Sequence, residues 1–241
     1  MNTLSFTAEK KPLMVAHRGC SGIERENTHA AFIAADNRSY WGIETDVHKT
    51  LDGRYVVIHD SDTKRVALDD MSVEGSTFES LRRITLLNKY TDKKDRPDLL
   101  IPSLEEYIAI CKQYEKKAVL ELKKGFSEQD VYEICDIIKG LDYLDHVIFI
   151  AFDYDDLVYL RRRYPTQAAQ FLTNKFEDDL IDRLLAIKVD LDIHYKALTP
   201  ENIALCHENG ILVNTWTVDQ PEMAEQIAAW GIDMITSNIL E

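Results

Sequence analysis

Gly42-Ile43-Glu44-Thr45-Asp46-Val47-His48-Lys49-Thr50-Leu51-Asp52-Gly53-Arg54-Tyr55-Val56-Val57-Ile58-His59-Asp60 decides the architecture of this chain. Residues 42–48 read as a strand. The Asp52-Gly53 pair between two β-rich runs is a hairpin signal, so the Tyr55-Val56-Val57-Ile58-His59 run returns beside that strand. Side chains alternate along a strand, so Glu44 and Asp46 point the same way. The hairpin then brings His59 to the end where those two carboxylates stand.

Outward from this stretch, short apolar runs alternate with amphipathic helical segments in both directions. Strand-like runs fall at 13–17, 117–122, 147–152, 168–172, 189–193, 212–218 and 233–236, which with 42–48 makes eight. Helical periodicity begins near Asn27-Thr28 and recurs at 153–163, 177–187, 199–208 and 221–230. Ser103 with Glu106 and Ser127 with Asp130 each have the spacing of an N-terminal helix cap. Gly210 and Gly231 read as helix stops. Eight βα units with no linker rich in Pro, Gly or Ser predict a single (β/α)8 TIM barrel over 1–241. The hairpin follows its second strand, and residues 61–101, irregular apart from a helical piece at 78–86, form an insertion over the active rim. A doubly wound open sheet is the rival, but no GxGxxG follows the first strand.

The chain has 241 residues, 45% hydrophobic and 29% charged, which suits a folded soluble protein with a sizeable core. Its net charge of −14 works against nucleic acid and anionic membranes as partners. A small soluble substrate is favoured, with any phosphate held by local cations. Cys20, Cys111, Cys135 and Cys206 are scattered without a CxxC pair and read as buried free thiols. Residues 1–12 lack the apolar core of a secretory signal, and no run approaches the ~18 apolar residues of a membrane span. A cytoplasmic location without a stable membrane anchor is the expectation.

The strand ends carry the chemistry. Glu44, Asp46 and Glu121 lie at the ends of neighbouring barrel strands, and three converging carboxylates repel unless a cation sits among them. An all-oxygen set suits one hard divalent cation, Mg²⁺ or Ca²⁺. Lys123 shares the face of Glu121, and Arg18 offers a guanidinium fork matched to phosphate. Gly19 reads as a place for close backbone approach to a ligand. His17 closes the first strand and His59 reaches the same rim. Splitting a phosphodiester needs a base and an acid, and two imidazoles share those jobs near neutral pH.

These motifs resemble one family. His17-Arg18-Gly19, Glu26-Asn27-Thr28, Glu44-x-Asp46, Thr50-x-Asp52-Gly53, His59-Asp60, residues 101–106, Glu121-x-Lys123 and Trp216-Thr217-Val218 stand in the order and spacing of glycerophosphodiester phosphodiesterases. Each motif alone is weak, and the ordered set is specific. The resemblance implies a TIM barrel that uses a divalent metal to cleave glycerophosphodiesters to glycerol 3-phosphate and an alcohol. It implies Glu44, Asp46 and Glu121 as metal ligands and His17 and His59 as the acid/base pair. Arg18 and Lys123 would hold phosphate, Trp216 would line the glycerol side, and Glu26 and Asn27 would support the first loop. Two departures stand out: Arg25 replaces a common proline, and Thr236-Ser237-Asn238 lacks the frequent Thr-Asp.

Two other readings remain at this stage: a phospholipase D-like enzyme on intact lipid, and a noncatalytic phosphodiester-binding barrel. His29, His48, His146 and His207 read as surface or helix-end residues. Asp192 and His194 follow the sixth barrel strand onto the active rim. Phe126, Phe152 and Phe171 are loop-proximal aromatics whose expected role is packing.

Overall fold

In the computed structural model, which describes residues 2–123 and 125–241, the strands close into a ring. They are β1 (Leu13–Ala16), β2 (Gly42–Lys49), β3 (Tyr55–Val57), β4 (Lys117–Leu122), β5 (Val147–Ala151), β6 (Ala169–Thr173), β7 (Asp190–His194), β8 (Val213–Trp216) and β9 (Met234–Ser237). Eight of them run parallel in the order β1, β2, β4 to β9, and β9 pairs back onto β1. The ninth, β3, lies antiparallel on β2, with His48 opposite Val56. This is the (β/α)8 TIM barrel expected from the alternating runs, hairpin included.

The alternation of side chains divides each strand between two environments. Outward residues such as Ile43, Val47, Leu120, Phe149, Leu191 and Ile235 join one apolar layer with the helices. Inward, Val15, Val119, Ile150 and Leu172 form a smaller apolar cluster. On β7, β8 and β9 the inward positions are instead Asp192, Asn214 and Thr236, all buried. A barrel interior is ordinarily filled by branched apolar side chains, so these polar groups mark the mouth of the ring.

The helices follow their caps. In α1 (His29–Asp36) the Thr28 hydroxyl accepts from the Ala31 amide. The capping boxes at Ser103 and Ser127 form as spaced and open α3 (Leu104–Gln113) and α4 (Glu128–Gly140). Next come α5 (Tyr154–Arg163), α6 (Leu180–Ile187), α7 (Pro200–Glu208) and α8 (Pro221–Ala229). The largest departures from the sequence reading are in two helices: α6 starts at Leu180 rather than 177, and α2 (Phe78–Arg82) stops well before 86. All four cysteines are buried and free. No helix among the described residues is long and apolar enough to cross a membrane.

Residues 61–101 pack Val66, Val73, Leu81, Ile84 and Leu99 against Val56 and Ile58 of the hairpin arm. The segment also bonds to the loop after β1, with Lys89 Nζ donating to the Ser21 carbonyl at 2.6 Å and the Tyr90 hydroxyl to that of Ile23. It is therefore built against the rim of the barrel mouth.

Candidate active site

Sheet register assembles the acidic cluster. Asp46 on β2 stands opposite Glu121 on β4, and Glu44 lies two residues before Asp46 on the same face. One oxygen from each of the three carboxylates lies within 4.8 Å of the others, and all three residues are buried. With water excluded, burial and the neighbouring carboxylates push the Glu44 carboxyl far above its ordinary range and that of Glu121 up to about 7. Asp46 moves the other way. Burial opposes its ionisation, but Lys123 and Arg18 hold it well below the usual carboxylate range.

Lys123 Nζ lies 2.8 Å from Glu121 Oε1 and 3.3 Å from Asp46 Oδ1. Burial works against its charge, and the two carboxylates more than offset that, so its pKa rises. Arg18 sits in the left-handed region, with φ of 54°. Its amide donates to Glu44 Oε2 at 2.8 Å and its Nη1 to Glu26 Oε1 at 2.8 Å. The guanidinium Nε is buried without a hydrogen-bond partner. Asn27 completes this wall by donating to Asp46 Oδ2 at 2.8 Å and accepting from Thr45 Oγ1 at 2.7 Å, so Glu26 and Asn27 do brace the first loop.

A buried, all-oxygen, predominantly anionic donor set matches what a hard divalent cation requires. The raised carboxyls of Glu44 and Glu121 reflect the same crowding of negative charge in a buried site.

The two histidines reach this cluster with different partners. His17 follows β1, its amide bonded to the Ser237 carbonyl at 2.8 Å, and its Nδ1 lies 2.7 Å from Asn238 Oδ1. Asn238 Nδ2 donates to Asp219 Oδ2 and Ser21 Oγ donates to Asn238 Oδ1, which fixes Oδ1 as an acceptor. Nδ1 of His17 therefore carries the hydrogen, and Nε2 faces Glu44 at 4.0 Å with its lone pair free. Burial, aided by Arg18, lowers the ring's pKa to about 4. His59 instead has a carboxylate partner: its Nδ1 lies 2.5 Å from Asp60 Oδ1. Arg65 Nε holds the other Asp60 oxygen at 2.7 Å and spans to Glu26 through both terminal nitrogens. Burial lowers the His59 pKa, while Asp46 and Asp60 oppose that shift.

The mouth encloses a cavity of about 240 Å³ that meets His17, Arg18, Glu44, His59 and Glu121 on one side and Ile150, Phe152, Leu172, Asp192 and Trp216 on the other. Trp216 packs edge-on to Phe152 with ring centroids 5.8 Å apart. A second hollow of about 370 Å³ opens beyond His59, between Asp60, Ser61, Glu74, Lys123 and Phe152.

Every residue singled out at the strand ends thus converges on one rim, with several corrections. His48 is buried, not on the surface, and its Nε2 meets the His59 carbonyl at 3.1 Å, because the inward face of β2 continues through residue 48. Gly19 serves packing: with φ of 75°, an added Cβ would lie 2.6 Å from the Ala31 backbone. Phe152 lines the cavity, whereas Phe171 is buried in the outer layer. His194 stands edge-on behind Trp216, centroids 5.1 Å apart, and its Nδ1 accepts from the Lys196 amide. Sequence reading gave no role to Asn238, Asp219 or Arg65. Only the Thr-Asp departure at 236–238 hinted at the first.

A glycerophosphodiester phosphodiesterase of Caldanaerobacter subterraneus subsp. tengcongensis is 29% identical over 234 residues, covering 95% of this chain and 94% of that protein. One from Bacillus subtilis is 26% identical over 246 residues, covering 94% and 83%. Among solved structures, an Oleispira antarctica phosphodiesterase in complex with the product sn-glycerol-3-phosphate superposes with a TM-score of 0.87 at 24% identity, covering 95% of this chain and 94% of that one. The Thermotoga maritima glycerophosphodiester phosphodiesterase gives 0.79 at 24%, covering 95% and 96%. At these identities the structural likeness is one of fold. A family model matches from the first rim histidine to the end of the ring, residues 17–240, and on that match the chain belongs to the glycerophosphoryl diester phosphodiesterase family.

Proposed function

We propose that this protein, with residues 1–241 acting as one catalytic unit, hydrolyses glycerophosphodiesters to glycerol 3-phosphate and an alcohol. The observation that carries the reading is the buried carboxylate cluster between two imidazoles with different hydrogen-bond partners. Glu44, Asp46 and Glu121 would hold one divalent cation, Mg²⁺ or Ca²⁺, which when bound supplies positive charge against phosphate. The glycerol 3-phosphate bound by the Oleispira relative has the chemistry expected of this product.

His17, neutral with a free Nε2, suits the base that takes the proton from the glycerol hydroxyl next to the phosphoester. That oxygen attacks phosphorus and closes a cyclic phosphate as the bond to the leaving alcohol breaks. His59, with Asp60 at Nδ1, suits the acid that gives its proton to the departing oxygen. Water then opens the ring with the proton roles exchanged. Arg18 Nε, which has no hydrogen-bond partner and lies 3.7 Å from Asp46 Oδ2, and the Lys123 ammonium are the donors for the non-bridging oxygens. Trp216 walls the glycerol side.

Release of glycerol 3-phosphate from a panel of diesters, with chelator, Mg²⁺ or Ca²⁺ present, tests this directly. Metal-restored release is the expected result. Folded, metal-loaded protein that releases none from any diester would overturn the proposal.

A further inference from the structure

Among the described residues, Asp192 is a carboxylate that lines the mouth cavity without belonging to the acidic cluster. It is 2% exposed, on β7, and it lines the same 240 Å³ cavity as His17, His59 and Glu121. Its Oδ1 is buried and has no hydrogen-bond partner. A buried acceptor left unsatisfied is uncommon in a folded protein and calls for a donor from elsewhere. Trp216, on the same cavity, has its indole Nε1–H buried and equally without a partner. An unused acceptor and an unused donor on one small cavity match a hydroxyl, which both donates and accepts.

Resting on the hydrolytic reading above, we propose that Asp192 recognises the terminal free hydroxyl of the substrate's glycerol half. The hydroxyl next to the phosphoester is committed to His17 and phosphorus, so the terminal one remains to be recognised. Ile150, Phe152 and Leu172 supply an apolar wall for the three-carbon chain. The cavity is smaller than the roughly 300–1,000 Å³ of pockets for drug-sized ligands. It suits a three-carbon phosphate better than an acylated lipid.

Calorimetric titration of sn-glycerol 3-phosphate and of propane-1,2-diol 1-phosphate, which lacks only that hydroxyl, tests the assignment in the Mg²⁺-loaded protein. Wild type binds the first about 10–100-fold more tightly, the value of a hydrogen bond to a buried charged or polar partner. Asp192→Ala reduces the preference to below about 3-fold while leaving the deoxy ligand and Mg²⁺ bound as before. Asp192→Asn, which keeps a carbonyl acceptor, restores most of it. Equal affinity of wild type for both ligands overturns the proposal without any variant. So does an Asp192→Ala protein that weakens both ligands alike, since that is the mark of a structural role. Binding is read here apart from turnover, so a protein that discriminates yet hydrolyses no diester would overturn the hydrolytic reading alone.

Discussion

Asn238 Oδ1 accepts the Nδ1 hydrogen of His17 at 2.7 Å, across 221 residues of chain. The contact fixes which ring nitrogen is free, and Asp219 and Ser21 in turn fix Asn238. Asn238→Ala releases the imidazole to either tautomer, and kcat should fall about 10–100-fold, the usual cost of losing an orienting partner. KM should change little. Steady-state kinetics check this, and an unchanged kcat would remove Asn238 from the support of the proposed base.

Raised carboxyl pKa values carry a sign for stability. Glu121 titrates at about 7 in the fold against 4.5 when unperturbed, so between those values the unfolded chain binds fewer protons. Stability of the metal-free protein should therefore fall as pH rises from 4.5 to 7. A divalent cation should reverse the loss: at about 100 times its Kd it contributes ~2.7 kcal/mol, or about 5–10 °C in Tm at this size. Thermal melts at pH 5 and pH 8, with chelator and with Mg²⁺ or Ca²⁺, should show the larger metal gain at pH 8.

Glu44→Gln separates holding the cation from holding the fold. One buried, like-charged carboxyl disappears, so the metal-free variant should melt above metal-free wild type at pH 8. Its gain from metal should vanish, and activity should drop about 10²–10³-fold or more, as for loss of one electrostatic stabiliser. Full activity with an intact metal gain would sink the ligand assignment.

Asp60 Oδ1 lies 2.5 Å from His59 Nδ1, where its charge favours the protonated ring. The acid role needs the protonated ring, so kcat/KM should fall as pH rises through the His59 pKa, which burial sets below 6.5. At the other end it should fall as pH drops through that of His17, about 4. Asp60→Asn removes an interaction that raises the His59 pKa, so the alkaline limb should move to lower pH. A limb that stays put would take the acid role from His59.

Gly19 is a packing position. Its φ of 75° and the 2.6 Å approach of any Cβ to the Ala31 backbone make Gly19→Ala costly. A non-glycine residue forced there costs about 1–3 kcal/mol before the clash is counted. Tm and activity should drop together, because α1 presses on the loop that carries His17 and Arg18.

The barrel was legible because its units are local. Apolar alternation, the Asp52-Gly53 turn and the caps at Ser103 and Ser127 all act within a few residues. Glu44, Asp46 and Glu121 were legible for the same reason, since strand ends in a closed ring share a rim. What escaped was long-range or hidden by residue type. Arg65 reads as one more charge in an irregular segment until it bridges Asp60 and Glu26. Asn238 reads as a missing aspartate until its oxygen meets His17. His48 reads as a surface residue at a strand end, yet it shares the inward parity of Glu44 and Asp46 and is buried.

The two halves of the site also differ in when they can exist. The three carboxylates of the acidic cluster stand on β2 and β4 alone, joined by the Asp46 and Glu121 register and in place by residue 122. The partner of His17 lies beyond β9, which pairs with β1 only when the ring closes. During synthesis the chain can thus acquire the carboxylates of the proposed cation site long before His17, the proposed base, is oriented. On the proposed function, a nascent barrel would be a metal binder first and a hydrolase only with its last strand.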